Sequence, residues 1–374
     1  MGMGELRHVD EYRRQSGAAQ LRLRLADICD PARTYRVMEI CGGHTHTIYR
    51  HGLSDHLPDN VRFVHGPGCP VCVLPKGRID DAMALALDED VTLCAYGDVL
   101  RVPGSEGSML DARARGADIR MVYSPLDALR LAREHPELEV VFLAIGFETT
   151  APATAATVLD AERDAISNFS VICNHVLVVP PMQALLNSPD VAIDGLIGPG
   201  HVSAIIGCTP YLPLVEQFGL PLVVAGFEPL DLLAALVMVV EQLNDARHEV
   251  ENQYSRVVPW EPNPVARALF DDVFAIRETF EWRGLGPIPR SGFRISDRLA
   301  DFDAERRYGV VGRVVPDPRA CRCGDVLRGA IEPTDCRIFG TACTPEHPVG
   351  SCMVSSEGAC AAYFQFGRGL AGQP

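Results

Sequence analysis

The chain has 374 residues, of which 47% are apolar and 22% charged, a balance typical of a globular protein with two or three domains. Its net charge of −15 argues against nucleic acid or an anionic membrane surface as a partner, because both need clustered lysine and arginine. No stretch is long and apolar enough to cross a bilayer, and the polar segment from Met1 to Arg14 lacks the apolar core of a signal peptide. We therefore expect a cytoplasmic protein whose 13 cysteines are reduced unless they hold metal or cycle through disulfides.

Short apolar runs alternate with helical stretches through the first two thirds of the chain. A helix is expected up to about residue 34, and the first predicted strand is Tyr35–Ile40. Further strands are predicted at Val61–His65, Val91–Tyr96, Asp118–Tyr123, Leu138–Ile145, Phe169–Cys173, Ala192–Ile197 and Leu220–Ala225. Helices are predicted at Arg78–Leu87, Leu126–Glu134, Met182–Asn187, His201–Ile206 and Leu230–Asn244. Another helix is predicted from Ala151, with Thr149 or Thr150 as its cap.

This alternation predicts an α/β fold of parallel sheets with helices on both faces. We expect two such domains, at residues 1–135 and 136–255, followed by a C-terminal cysteine-rich domain at residues 256–374. The phrase Gly66-Pro-Gly-Cys69 has a counterpart in Gly198-Pro-Gly-His201, which leaves open whether the first two domains are related or share such turns by coincidence. After about residue 255, closely spaced prolines and both tryptophans mark the connection to a different kind of domain.

The segment from Glu39 to His46, EICGGHTH, follows the first predicted strand. Its two glycines are expected to end the strand in a loop that presents the thiol of Cys41 and the imidazoles of His44 and His46. Thiolate and imidazole are good ligands for a late first-row metal, and a thiol among ionisable groups is also a candidate reactive cysteine. The alternative is an ordinary turn in which these side chains lie together by chance.

A second segment, from His65 to Cys72, reads HGPGCPVC and contains the pair Cys69 and Cys72. In a chain without a secretion signal, this CxxC spacing indicates redox activity or metal binding rather than a structural disulfide. The glycines and prolines around the pair fix the shape of the loop. We expect this loop and the EICGGHTH loop to meet at one edge of a sheet.

Other ionisable side chains also follow predicted strands. Glu148 and Glu228 each lie in a Gly-Phe-Glu turn at the carboxyl end of a strand, where ligand sites of open parallel sheets gather. A functional role is favoured for Glu148, and for Glu228 it is balanced against a turn carboxylate. His175 and His201 are expected to be structural. The isolated cysteines, expected to be small core residues, are Cys29, Cys94, Cys173 and Cys208.

The C-terminal segment carries six cysteines within forty residues. They are Cys321, Cys323, Cys336, Cys343, Cys352 and Cys360. So short a segment has too few apolar side chains to form a stable core alone. In a reducing compartment, a metal centre is expected to stabilise it. Four thiolates suit zinc or an iron–sulfur cluster, and the wide, irregular spacing favours the cluster.

Several long phrases in this order resemble the HypD family of hydrogenase maturation factors. They are CGGHTH, GPGCPVC, GFETTAP (Gly146 to Pro152), IGPGHVS (Ile197 to Ser203), AGFEPLD (Ala225 to Asp231) and SSEGAC (Ser355 to Cys360). They extend from about residue 36 to the C-terminus, so the resemblance covers nearly the whole chain. The family is implied to help build the Fe(CN)2CO group of nickel–iron hydrogenases.

The resemblance implies a 4Fe-4S cluster on the cysteines that match the family pattern. These are Cys323, Cys336, Cys343 and Cys360. Cys321 and Cys352 are then extra. The single residue between Cys321 and Cys323 leaves little slack for both thiolates to bind one cluster, whereas Cys352 is harder to exclude.

The resemblance also implies roles and partners. Cys41 would bind the iron while cyanide and carbon monoxide are installed, and Cys69 and Cys72 would supply electrons by thiol–disulfide exchange. His44 and Glu148 complete the candidate catalytic residues. HypC would share the iron, HypE would present cyanide as a thiocyanate with HypF acting upstream, and the hydrogenase large subunit would be an indirect partner.

Two other classes of protein remain open from the residues alone. One is a general thiol–disulfide oxidoreductase fed by an iron–sulfur cluster, which needs the CxxC pair but neither Cys41 nor His44. The other is a zinc-stabilised binding module with no chemistry. A cluster absorption band would separate the first class from the second.

Overall fold

The structure is a computed structural model that describes residues 15–88, 90–189 and 191–367. The polar N-terminal segment and the beginning of the first predicted helix lie outside these residues. Within these three ranges, no helix has both the length and the apolar character needed to cross a membrane.

The described elements alternate as the sequence predicts. The strands are β1 (Tyr35–Glu39), β2 (Val61–His65), β3 (Val91–Ala95), β4 (Ile119–Met121), β5 (Glu139–Gly146), β6 (Phe169–His175), β7 (Gly195–Pro199), β8 (Leu222–Ala225), β9 (Val250–Asn252), β10 (Phe274–Ile276), β11 (Thr279–Trp282), β12 (Gly286–Pro289) and β13 (Phe293–Ile295). The α-helices are α1 (Gln15–Ile28), α2 (Gly42–Arg50), α3 (Pro70–Val73), α4 (Lys76–Asp88), α5 (Met109–Ala114), α6 (Pro125–Glu134), α7 (Ala151–Arg163), α8 (Val179–Leu186), α9 (Gly200–Ile206), α10 (Leu212–Phe218), α11 (Pro229–Asn244), α12 (Pro264–Val273), α13 (Ala304–Arg307), α14 (Cys323–Leu327) and α15 (Ala359–Phe366).

Two parallel sheets form the framework. The first has the strand order β2-β1-β7-β8-β9, and the second has the order β4-β3-β5-β6. All their strand pairs are parallel. The apolar run of β5 is buried along almost its whole length, which is the pattern of a central parallel strand covered on both faces. These observations confirm the predicted α/β class with two parallel sheets.

The sheets are not divided along the chain at residue 135, where the sequence suggested a boundary. β3, β4, β5 and β6 form one sheet across that position, and the other sheet combines β1 and β2 with the later strands β7 to β9. The chain therefore forms two strands of the first sheet, then all four strands of the second sheet, and then the last three strands of the first sheet. Strand–helix alternation continues unchanged through both sheets, so periodicity carries no information about which sheet a strand joins.

The core lies in layers on both faces of each sheet. One cluster of buried side chains packs α1 and α11 against a face of the first sheet, and another packs α6, α7 and β13 against a face of the second. The largest cluster contains side chains from the opposite faces of both sheets and also Cys72, Cys323, Cys343, Cys352 and Cys360. The cysteine-rich segment therefore shares a core with both sheets.

Local structure departs from the predictions at two places that matter for the site. The glycines after Cys41 begin helix α2, so the EICGGHTH segment is a helix start rather than an open loop. Thr150 stands at the predicted cap of α7, but its hydroxyl donates to the carbonyls of Ile145 and Phe147 instead of capping the helix N–H groups.

Candidate functional site

The loops that carry the chemistry meet because they follow neighbouring parallel strands. Glu39, the last residue of β1, pairs with His65 of β2 and with Ile197 of β7. In the second sheet, Gly146 at the end of β5 pairs with His175 at the end of β6. The carboxyl ends of parallel strands form the usual ligand-binding edge of such sheets. The segments singled out from the sequence therefore lie where a binding site is expected.

The carboxylate of Glu39 fixes the position of Cys41 by a hydrogen bond to its backbone. This carboxylate is fully buried and accepts a hydrogen bond from the backbone N–H of Cys41 at 2.8 Å. The same carboxylate accepts from the Thr45 hydroxyl and forms a hydrogen bond with His65 Nδ1 at 2.7 Å. The register that places Glu39 opposite His65 explains this pair. Sequence reasoning missed both residues, although each stands at the predicted end of a strand.

The GPGCPVC loop lies directly on the backbone of Cys41. A Cβ added at Gly68 would be 2.2 Å from Cys41 N and 2.3 Å from Cys41 Cα, so only glycine fits there. The carbonyl of Gly68 in turn accepts from the N–H of Gly42 at 3.2 Å. The two loops therefore form one unit, as the sequence predicted.

Cys41 is more enclosed than the sequence suggested, and its thiol is less acidic than that of an ordinary cysteine. Its side chain is 9% exposed, and burial raises the pKa of the thiol well above its ordinary range. The nearby carboxylates of Glu357 and Glu39 raise that pKa further. Negative charge around a neutral thiol favours a cation there, because a bound metal ion displaces the thiol proton.

His44 presents an unsatisfied nitrogen inside the protein. The side chain is fully buried, and its Nε2 donates to the carbonyl of Ala225 at 3.2 Å. That bond leaves the lone pair on Nδ1, for which the described residues supply no hydrogen-bond partner. Burial lowers the pKa of His44, so the imidazole is neutral and able to bind a metal.

His46 is separated from this arrangement. Its Nδ1 lies 3.1 Å from the carbonyl of Ser356, and its ring packs edge-on against Phe366. It therefore ties α2 to the C-terminal segment. Of the two imidazoles considered from the sequence, His44 remains the candidate ligand.

Glu148 is a buried carboxyl with one free oxygen. Its Oε1 accepts from the N–H of Val178 at 3.0 Å, whereas Oε2 has no partner within the described part of the chain. Burial raises the pKa of Glu148 to about 7. Glu148 therefore exchanges its proton near neutral pH, which is the property of a group that takes up or releases protons during chemistry.

Tyr211 connects Glu148 with the region of Cys41. The phenol is fully buried, and its oxygen is 3.0 Å from the hydroxyl of Ser203. Burial raises the pKa of Tyr211, and the nearby carboxyl of Glu148 raises it further; Cys208 and Cys41 are also among its neighbours. Both carboxyl edges thus face a common interior, and nothing in the local sequence signals this role for Tyr211.

The remaining residues predicted at strand ends are structural. His175 bonds to Thr154 Oγ1 at 2.9 Å, and burial lowers its pKa to about 4. His201 stacks on Phe227 with 3.7 Å between ring centres, and the opposite neighbour of Phe227 is His44. Glu228 precedes α11, where its backbone N–H donates to Asp231. Cys94, Cys173 and Cys208 are fully buried and Cys29 is partly buried, as expected for core cysteines.

The CxxC pair forms the start of a short helix. Cys69 precedes α3, and its Sγ accepts from the N–H of Cys72 at 3.3 Å, so the two side chains are close. Both are free thiols in the structure. Burial raises the pKa of Cys72, and hydrogen bonds with Cys352 and Cys69 raise it further.

Cys352 joins the CxxC pair to the C-terminal cysteines. Hydrogen bonds from Cys323, Cys360 and Cys72 all reach its sulfur and lower the pKa of its thiol. The hydroxyl of Ser351 also donates to the carbonyl of Cys72 at 2.6 Å, a contact between residues 279 positions apart. The structure therefore places an unbroken row of sulfur atoms from Cys69 to the cysteine-rich segment, which sequence spacing does not reveal.

Several sulfurs of the C-terminal segment lie close to one another. Cys321 and Cys323 lie side by side, and a Cβ on Gly350 would be 2.4 Å from each sulfur, so glycine leaves space beside both. Cys343 Sγ accepts from the N–H of Val349 at 3.4 Å, a contact that stabilises a thiolate. Cys336 is partly exposed beside Ala320.

In the part of the chain that the structure describes, no three side chains of His, Cys, Asp or Glu are placed to hold a single metal ion. An iron–sulfur cluster has a different requirement, because its thiolates bind separate iron atoms rather than one. The donor set and its spacing fit such a cluster.

Comparison with known proteins decides the family. The HypD family model, described as the hydrogenase formation hypA family, matches residues 17–367. The chain belongs to the HypD family of hydrogenase maturation factors. It is 55% identical to the hydrogenase expression/formation protein HupD of Azotobacter chroococcum over 97% of each chain. It is 49% identical to the hydrogenase maturation factor HypD of Escherichia coli over 96% of this chain and 98% of that protein.

HypD of Rhizobium leguminosarum is 55% identical, over 97% of this chain and 96% of that protein. The family resemblance inferred from the sequence is thereby confirmed, and with it a role in hydrogenase maturation.

Proposed function

We propose that this HypD-family protein is the scaffold on which the Fe(CN)2CO group of nickel–iron hydrogenase is assembled. The observation that carries the proposal is the contact of Gly68 with the backbone of Cys41, which makes the two cysteine loops a single site. One loop supplies a lone thiol and the other a CxxC pair. A metal-binding thiol beside a reducing pair is the combination that ligand installation on iron requires.

The iron is the substrate of this site and binds to Cys41. Glu39 and Glu357 supply negative charge around the thiol, and the free Nδ1 of His44 is a second donor in the same interior. HypC shares the iron through its own cysteine. HypE, charged upstream by HypF, presents cyanide as a thiocyanate, and the finished group passes through HypC to the hydrogenase large subunit.

Release of cyanide from a thiocyanate is a two-electron reduction. The thiols of Cys69 and Cys72 supply both electrons and two protons as they form a disulfide. The carbon–sulfur bond of the thiocyanate breaks, cyanide binds to the iron, and the carrier sulfur leaves as a thiol. Glu148 takes up the remaining proton, for which its pKa of about 7 is suited.

Restoring the CxxC pair requires another dithiol in reach. Cys352 contacts Cys72 on one side and Cys323 on the other. Attack of the Cys352 thiolate on the new disulfide, followed by Cys323, transfers the disulfide to Cys323 and Cys352 and returns Cys69 and Cys72 to thiols. The lowered pKa of Cys352 favours its thiolate as the attacking group.

The contacts of Cys323 change the ligand set that we propose for the 4Fe-4S cluster. Cys323 and Cys360 both lie against Cys352, and a cysteine that forms a disulfide with Cys352 is not at the same time a cluster ligand. We assign the disulfide to Cys323, because the thiol of Cys321 lies beside Cys323 and can take its place as a ligand. We therefore assign the cluster to Cys321, Cys336, Cys343 and Cys360, with Cys321 in place of the Cys323 that the family pattern implied. When bound, such a cluster supplies single electrons.

The proposal is tested by complementation of a bacterium that lacks its own HypD-family gene. The wild-type chain should restore hydrogenase activity, and Cys41→Ser and Cys69→Ser should each fail while accumulating to normal levels. Cys29→Ser, which changes a cysteine away from the site, is the matched control and should restore activity. Full activity with Cys41→Ser would contradict the scaffold role and leave the thiol–disulfide oxidoreductase as the better reading.

A further inference from the structure

Arg283 is a buried charge that the proposed chemistry does not use. Only 3% of the residue is exposed, and its Nε donates to Asp317 at 2.7 Å. Its Nη1 and Nη2 have no hydrogen-bond partner among the described residues. Buried polar groups are nearly always satisfied, and those of a guanidinium are especially costly to leave unpaired. The free donors therefore point to an acceptor outside the described residues.

The position of Arg283 shows where that acceptor lies. Its backbone N–H donates to the carbonyl of Val73, the last residue of the CxxC helix α3, at 2.9 Å. The next residue, Gly284, is pressed against Gly324, since a Cβ at Gly284 would be 2.5 Å from Gly324 Cα. The charge of Arg283 also acts on the thiol of Cys321. Arg283 thus stands between the CxxC helix and the first cysteines of the C-terminal segment.

We infer that Arg283 is a positioning residue whose Nη groups donate hydrogen bonds to the sulfur atoms of the cluster beside Cys321 and raise its reduction potential. The inference rests on the proposed function, because it takes the cluster as given. A reduced cluster carries one more negative charge than an oxidised one. Hydrogen bonds and a buried positive charge therefore stabilise the reduced cluster more than the oxidised one. The effect is large in a buried site, because water screens the charges there only weakly.

The partner of Arg283 does not cancel this effect. Asp317 engages only the Nε edge of the guanidinium and is itself 24% exposed on its side chain, so solvent screens it more than it screens Arg283. The two Nη groups, on the other edge, keep their donors for the cluster. Arginine suits this task because its planar fork presents several donors in fixed directions and never loses its charge.

The test is an anaerobic redox titration with dithionite and mediators, followed by electron paramagnetic resonance, on the full-length protein. In Arg283→Met we expect the equilibrium constant for one-electron reduction to fall at least tenfold, a downward shift in midpoint potential of about 59 mV. Arg283→Lys keeps the charge with fewer donors and should shift the potential less. The matched control is Arg24→Met on helix α1, which removes the same charge from a side chain that is 53% exposed and paired with Glu241, and it should leave the potential unchanged.

Iron and sulfide are measured on every sample, so that the two proposals fail in different ways. A wild-type protein without a cluster would refute the cofactor of the proposed function itself. A normal cluster content with an unchanged potential in Arg283→Met and Arg283→Lys would overturn the role of Arg283 alone. Loss of iron from both Arg283 variants, with iron retained in Arg24→Met, would also overturn it, since that pattern assigns Arg283 to folding of the segment.

Discussion

At the scale of single residues, burial sets the chemistry of the site. The same enclosure keeps the Cys41 thiol protonated, keeps His44 neutral and holds a proton on Glu148 near neutral pH. Each of these groups also has unused capacity, either a free lone pair or a free oxygen. The sequence identified all three positions, because each follows the end of an apolar run. It did not reveal the raised pKa of Cys41, which comes first from burial and then from Glu357, a residue more than 300 positions away along the chain.

Glu148 makes stability depend on pH in a defined window. Its pKa is about 4.5 when unperturbed and about 7 in the fold, so the folded state holds the proton more tightly. Its stabilising contribution is complete below about pH 4.5 and is lost as the pH rises through about 7, a loss of about 3 kcal/mol. Glu148→Gln keeps an oxygen for the N–H of Val178 but cannot ionise.

Urea unfolding of the wild type and of Glu148→Gln at pH 5 and pH 8 measures this contribution. The free energy of unfolding of Glu148→Gln, taken relative to that of the wild type, should be higher at pH 8 than at pH 5 by about 3 kcal/mol. Equal pH dependence in the two proteins would show that Glu148 is ionised throughout.

At the scale of elements, strands were predictable and contacts between loops only partly so. β1, β2 and β5 are close to their predicted bounds. For β5 the reason is that a strand buried on both faces has a continuous apolar run in its sequence. Helix α2 was missed because its two leading glycines resemble a helix breaker. In the structure Gly42 is needed for space, since a Cβ there would be 2.6 Å from Glu357 Cβ.

Gly68 tests whether close contact of the two loops matters. In Gly68→Ala the new methyl meets the backbone of Cys41, which cannot move aside as a flexible side chain would. We expect the free energy of unfolding to fall by about 1–3 kcal/mol, and hydrogenase maturation to be lost or strongly reduced. Calorimetry or urea unfolding, with complementation in parallel, gives both quantities.

Gly97→Ala is the matched control. A Cβ there would meet the sulfur of Met121 at 3.1 Å, the far part of a flexible and largely exposed side chain. Its effect on stability should stay within about 0.5 kcal/mol. Equal effects of the two substitutions would show that the contact with Cys41 has no special importance.

The cysteine-rich segment gives a test of the revised ligand set. We expect Cys321→Ala to lose most of the cluster iron and sulfide, because a ligand is removed. Cys323→Ala should keep the iron but block transfer of the disulfide from Cys69 and Cys72. Iron and sulfide analysis of anaerobically purified protein distinguishes the variants. Retention of iron in Cys321→Ala together with loss in Cys323→Ala would restore the ligand set that the family pattern implied.

At the scale of the whole molecule, the site depends on how the two sheets and the C-terminal segment share one core. The chain leaves the first sheet, completes the second and returns, so that both carboxyl edges face the same interior. Family motifs marked the candidate functional loops, but did not predict this order of strands or the row of sulfurs through Cys352. Those features depend on contacts between distant segments, such as Ser351 with Cys72, that no local pattern encodes.

The central claim is that Cys41 binds the iron on which cyanide and carbon monoxide are installed. Serine keeps the size of cysteine but is a poor ligand for this iron, so Cys41→Ser should leave the fold and the cluster intact. The most direct measurement is infrared spectroscopy of the protein purified anaerobically with HypC, in the region where iron-bound cyanide and carbon monoxide absorb. We predict those bands in the wild type and their absence in Cys41→Ser at equal cluster iron, whereas unchanged bands in Cys41→Ser would contradict the account.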